Sequence, residues 1–130
     1  MNNESSKIKE FTDLYAWQES HNLVLSIYNV TNKFPKEEIF GLVSQMQRAA
    51  ISITSNIAEG FGRQGYKEKI QFYYLSQGSL TELKNQIITA KDIGYLKEEV
   101  FQKLMGQANT SHKLLQGLIT KSKTFLNHKS

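Results

Sequence analysis

The chain has no cysteine. That excludes a disulfide scaffold and a thiolate metal site, and it suits a reducing compartment. Uninterrupted apolar runs are only a few residues long, far short of a bilayer-spanning helix, so no membrane is expected as a partner. The opening residues, Met1-Asn2-Asn3-Glu4-Ser5-Ser6, lack the charged-then-apolar order of a secretory signal, and the expected location is the cytoplasm. Acidic residues stop at Glu99, whereas Lys103, Lys113, Lys121, Lys123 and Lys129 follow it.

What is present describes one globular domain. A chain of 130 residues, 39% hydrophobic and 22% charged, has room for a single core. The net charge of +4 is unevenly spread. Residues 1–60 carry five basic and seven acidic side chains, a net of −2, and residues 61–130 carry eleven and five, a net of +6. An unopposed positive stretch attracts polyanions and raises their encounter rate. A solvated helix face that keeps the protein soluble would use the same lysines.

Periodicity predicts helices throughout. Residues 1–12 read as a polar lead-in, residues 13–127 as the folded domain and 128–130 as a tail. The first helix is expected from Asp13, a favoured N-cap residue, to about Asn32, with Leu14, Trp17, His21, Val24, Tyr28 and Thr31 as its seam and Leu25 and Ile27 widening it. Phe34-Pro35 ends it, and Pro35-Lys36-Glu37-Glu38 suits a short turn. The second helix is expected over 41–59, with Leu42, Met46, Ala49, Ile53 and Ile57 inward, broken by the glycines Gly60, Gly62 and Gly65. The third runs from Tyr66 to Ile93 and stops at Gly94, a left-handed C-terminal cap. It carries two apolar stripes: Phe72, Leu80, Leu83 and Ile87, and, roughly 130° away, Ile70, Tyr74 and Ile88. The fourth, over 97–127, has Phe101, Leu104, Ala108, Ser111, Leu115, Leu118, Ser122 and Phe125 at heptad spacing. Four helices with short connections predict an all-α, antiparallel up-down-up-down four-helix bundle.

Catalytic signals are missing. Gly60, Gly62 and Gly65 spell G-x-G-x-x-G, but a helix precedes them where a dinucleotide site requires a strand. The start of the third helix, with Arg63, Lys67 and Lys69 nearby, could hold a phosphate, and a flexible glycine turn is the simpler reading. His21, His112 and His128 are scattered, and no Glu-x-x-His or His-Glu-x-x-His pattern occurs. No nucleophile elbow or Walker-type loop is present. Neither metal nor cofactor is expected, and the chain reads as a non-enzyme.

The second helix is the informative one. Gln45, Arg48, Ser52, Ser55, Asn56 and Glu59 gather beside its apolar stripe. Arg48 and Glu59 stand about 16 Å apart at about 1.5 Å rise per residue, too far to pair. This row predicts a helix–helix or subunit interface, and Ile70, Tyr74 and Ile88 join it as candidates for a second apolar face.

Several blocks together resemble one family. They are Asp13-Leu14 with Trp17-Gln18, Phe34-Pro35-Lys36-Glu37-Glu38, Gly41-Leu42, Ser44-Gln45 through Gly60-Phe61-Gly62-Arg63, Gly78-Ser79-Leu80-Thr81-Glu82-Leu83, and Ala90-Lys91-Asp92-Ile93-Gly94-Tyr95-Leu96. The chain is similar to four-helix-bundle proteins encoded in intervening sequences of bacterial 23S rRNA genes, formerly labelled S23 ribosomal proteins. The resemblance covers about residues 11–120. It departs at Gln47, where the family has an arginine before Arg48, and at Thr54, where a proline is common. The missing arginine weakens a nucleic-acid role for this face. The resemblance implies a non-enzymatic, ring-forming homo-oligomer, typically a pentamer, of unassigned cellular role. A related branch, the accessory variability determinant of diversity-generating retroelements, is a pentameric bundle that binds nucleic acid and partners a reverse transcriptase. The expected partners are therefore further copies of the chain, RNA or DNA through Arg63, Lys67, Lys69, Lys103, Lys113 and Lys121, or another protein.

Overall fold

The computed structural model describes residues 8–129, which form four α-helices: α1 (Tyr15–Thr31), α2 (Ser44–Phe61), α3 (Tyr66–Asp92) and α4 (Glu98–Lys129). Each packs against the next and α4 closes on α1, giving the up-down-up-down bundle. No strand occurs among the described residues.

Helix α1 starts later than expected because Asp13 is committed to the turn before it. A 3-10 turn over Phe11–Asp13 is closed by the Asp13 carboxylate, which accepts from the backbone N–H groups of Lys9 and Glu10 at 2.9 and 3.0 Å. Those bonds, the one from Lys9 first, hold the Asp13 carboxyl below the usual carboxylate range. Phe11 then packs edge-on against Trp17 at 5.6 Å. Of the expected lead-in, Ile8 onward is thus a fixed turn, and residues 1–7 lie outside the described residues. The tail is corrected likewise, since α4 continues through His128.

The α1 seam is also displaced. Its buried face is Ala16, Ser20, Leu23, Val24, Ile27 and Thr31, whereas Tyr28 and Leu25 are 43% and 55% exposed. Small side chains at Ala16 and Ser20 let neighbouring helices approach, and the bulkier Leu14 and Trp17 pack at the margin. Between α1 and α2 the chain buries Phe34, makes a 3-10 turn over Lys36–Glu38 and then a π-turn over Ile39–Val43. Helix α2 therefore begins at Ser44 rather than Gly41.

The α2–α3 pair is the tightest. Ser76 donates its hydroxyl to the Ile53 carbonyl at 2.6 Å, and the hydroxyls of Ser52 and Ser79 meet at 2.8 Å. Gly60, expected in a turn, lies inside α2 and is buried. A Cβ there would stand 2.8 Å from the Tyr73 ring and 2.9 Å from Phe72 Cβ. Glycine is present for close approach, and its φ is not positive. Among the described residues Gly94 alone has a positive φ, 92°. It ends α3 with the Tyr95 N–H donating to Ala90 and its own N–H to Lys91, the expected left-handed cap.

Helix α4 buries Leu104, Ala108, Ser111, Leu115, Ile119 and Ser122. The Ser122 hydroxyl returns to the Leu118 carbonyl at 2.8 Å, while the buried Ser111 and Ser20 hydroxyls reach no partner among the described residues. Gly78, Gly106 and Gly117 are exposed with nothing within 4 Å of an added Cβ, so tolerance at the surface explains them.

A polar latch joins the two turns at one pole. Glu38 accepts from the Leu42 N–H at 3.2 Å and from the Tyr95 hydroxyl at 2.7 Å, while the Tyr95 ring packs on Phe34 at 5.2 Å. The bond from Tyr95 is the main cause holding the Glu38 carboxyl low, and the same bond pushes the Tyr95 hydroxyl up.

Two predictions follow from this packing. Gly60→Ala is expected to cost about 1–3 kcal/mol by overpacking against Tyr73, whereas Gly106→Ala and Gly117→Ala are each expected to add about 0.4–1 kcal/mol. Urea titrations followed by circular dichroism compare the three. Tyr95→Phe is expected to lower the melting temperature near neutral pH. Because the Glu38 pKa is lowered by folding, its contribution is present above the usual carboxylate range and lost as pH falls through the lowered value. The difference between wild type and Tyr95→Phe should therefore shrink in acid, and a difference independent of pH would refute the latch.

Candidate interaction surfaces and the basic pole

The polar row on α2 divides into two parts. Ser52 and Asn56 turn toward α3: Ser52 meets Ser79, and the Asn56 amide donates to the Ser52 carbonyl at 2.9 Å and to its hydroxyl at 3.1 Å. Gln45, Arg48, Ser55 and Glu59 face outward and are exposed. Glu59 pairs with Arg63 one turn on, at 3.0 Å between two largely exposed side chains. Arg48 has no ion pair among the described residues. Gln47, the departure noted above, faces α1 and donates to the Thr31 hydroxyl at 3.1 Å. Thr54, the second departure, is buried and its hydroxyl returns to the Ile51 carbonyl at 3.1 Å.

Beside Arg48 lies the most exposed large hydrophobic side chain among the described residues. Phe40 is 97% exposed, and Ile39, Tyr28 and Ile51 around it are 50%, 43% and 42% exposed. Together with Arg48, Gln47 and Ser52 they line a shallow groove of about 650 Å³ across α1, the π-turn and α2. Fully burying a side chain of this size is worth about 1.5–3 kcal/mol, so this exposure is expensive. The geometry comes from Gly41, whose backbone is non-helical at φ −112° and ψ −113° and whose missing Cβ leaves room for a Glu38 oxygen. Helical periodicity does not extend across such a turn, which is why Phe40 carried no signal in the sequence.

On α3 the expected second face is partly available. Tyr74 and Ile88 are each 43% exposed, and Leu75, unremarked in the sequence, is 57% exposed. Ile70 is buried within the chain itself at 8% exposure.

The basic candidates separate in the fold. Arg63, Lys67, Lys69 and Lys121 come together at the pole where α2 and α4 end and α3 begins, joined by Lys123, which lies 5.1 Å over the Tyr74 ring. Lys103 and Lys113 lie further back along α4. Several of these cations already have contacts. Arg63 pairs with Glu59 and lies 4.6 Å over the Phe72 ring. Lys69 donates to the Phe61 carbonyl at 2.6 Å, under partial burial that pushes its pKa down. Lys67 remains exposed at the start of α3, so the cations expected to cradle a phosphate there are mostly directed elsewhere. Glu37, Glu38, Asp92, Glu98 and Glu99 sit at the opposite pole.

The histidines make no centre. His21 is half-buried and stacks on Trp17 at 4.6 Å. Burial, with the Lys84 charge beside it, pushes the His112 pKa down. Among the described residues no group of His, Asp and Glu is placed to hold a metal ion, and no helix is long and apolar enough to cross a membrane.

Comparison with known proteins gives this geometry a place. No curated protein matches the chain. Among solved structures it is similar to a protein of unknown function from the S23 ribosomal protein family of Bacteroides thetaiotaomicron VPI-5482, with a TM-score of 0.72 and 19% identity over 80% of this chain and 97% of that one. At that identity the likeness shows the four-helix fold alone. The profile of the 23S rRNA-intervening sequence proteins matches residues 12–117. The chain belongs to the 23S rRNA-intervening sequence protein family.

Proposed function

We propose that the protein is a non-enzymatic, homo-oligomeric helical bundle that assembles through its α1–α2 face and offers its basic pole to RNA or DNA. Phe40 carries this reading: a phenylalanine 97% exposed beside Ile39, Tyr28 and Ile51 needs a cover. A second, different apolar face on α3, with Tyr74 and Ile88 within about 40° of each other around the helix, supports a head-to-tail contact between copies. Two unlike patches on one subunit generate a ring when the rotation closes. The family resemblance supports five subunits for the closed ring.

Light scattering at micromolar concentration is expected to return a mass about five times the 14.9 kDa chain. Phe40→Ser and Ile88→Ser should each shift it toward the monomer while changing subunit stability by less than about 0.5 kcal/mol. A wild-type monomer refutes the assembly.

Polyanion binding rests on the pole that gathers Lys67, Lys121 and Lys123 opposite the Glu37, Glu38, Asp92, Glu98 and Glu99 end. Filter binding should show retention of RNA or DNA that falls steeply with salt and has little base preference. Lys67→Glu with Lys121→Glu should weaken every sequence alike. No retention at low salt removes this part of the reading and leaves a scaffold for another protein, for which a nuclease-treated pull-down is the test.

A further inference from the structure

At the basic pole, a cavity of about 300 Å³ opens between α2, α3 and α4 beneath Ile8. Its walls are apolar: Leu14, Leu118 and the rings of Phe61, Tyr66 and Phe125, the last two stacked at 5.2 Å. Its charged groups are of one sign. Lys69 and Lys121 both line it and no carboxylate does. The Lys69 ammonium uses one N–H on the Phe61 carbonyl and lies 5.2 Å and 5.9 Å over the Phe61 and Tyr66 rings, leaving two donors unfilled among the described residues. Tyr73 closes the floor at 1% exposure and brings its phenolic hydroxyl to the site. Burial pushes that hydroxyl up to about 12, so it stays a donor. Ser122 is already bonded to the Leu118 carbonyl.

Convergent donors without an acid, set in an aromatic wall, select an anion that carries an apolar body. We propose that this cavity is a binding site for a small amphiphilic carboxylate, its head on Lys69, Lys121 and the Tyr73 hydroxyl and its apolar part against Leu14, Leu118 and Phe125. The volume equals that of about ten waters at roughly 30 Å³ each, so the body is limited to about ten carbon atoms. A polymeric phosphate backbone has no apolar part to fill it. The site lies within one subunit and rests neither on assembly nor on nucleic acid.

Calorimetric titration of the full chain with decanoate, and separately with decanol, tests this. Decanoate is expected to bind one per subunit and more tightly than decanol by roughly tenfold, the worth of a charge-assisted hydrogen bond. Lys69→Met should remove that advantage and leave decanol unaffected. Phe125→Ala, at a 41% exposed ring, should weaken both probes without unfolding the chain. Should Lys69→Met not fold, Lys121→Met on the exposed face of α4 provides the same readout with a smaller loss. Equal affinity for the two probes, an unchanged decanoate affinity in the lysine variants, or no binding at submillimolar decanoate overturns the proposal.

Discussion

The close approach of α2 and α3 at Gly60 is the constraint on which the remaining architecture depends. With no side chain at Gly60, the Tyr73 ring lies against the α2 backbone. Further along, Ser76 reaches the Ile53 carbonyl and Ser52 meets Ser79. These contacts run in opposite order along the two helices and so pin an antiparallel register that burial alone would leave free to slip. Register then decides what meets at each end. It sets Phe61, Tyr66, Lys69 and Tyr73 around one cavity, and it brings the Glu38 turn under the Tyr95 cap at the other pole.

The same seam sorts the polar residues of α2. Ser52 and Asn56 satisfy each other and α3, so they belong to the subunit's own packing. Arg48, Ser55 and Glu59 are left outward. The basic pole needs a similar sorting. Arg63 and Lys69 are engaged within the subunit, by Glu59 and by the Phe61 carbonyl. Part of that pole's charge is therefore structural. Lys67, at a helix N-terminus where a cation is unfavourable, is the one that internal electrostatics do not explain.

Much of the bundle was legible in the sequence because its signals were strong and local. The α2 core positions Met46, Ala49, Ile53 and Ile57 and the Gly94 cap lie where spacing put them. The α1 seam did so only in part: Val24, Ile27 and Thr31 are buried as expected, whereas Ala16 and Ser20 are weak by hydrophobicity and decisive by size. Gly60 misled for a related reason: three nearby glycines look like a turn, and only the position of Tyr73, distant in sequence, shows that one of them is a packing contact. The interaction surfaces were half legible. Tyr74 and Ile88 are on the α3 surface as expected, whereas Ile70 is covered by its own chain. Of the six cations, a charge count could group them but not separate Lys103 and Lys113 from the pole, since that depends on where α4 lies against α3.

Phe40 combines these effects. An apolar residue on a mobile loop would be a poor anchor, because binding would have to order it first. Here the turn is already fixed. Glu38 accepts from Leu42 and from Tyr95, and its carboxylate fills the space that a side chain at Gly41 would occupy. Tyr95 is in turn fixed by the α3 cap and by Phe34. The exposed ring is therefore carried on a preorganised support tied to three helices, and little conformational entropy remains to be lost when a neighbour covers it. That separates Phe40 from a singly exposed apolar residue such as Ile93, whose exposure is ordinary for a folded surface.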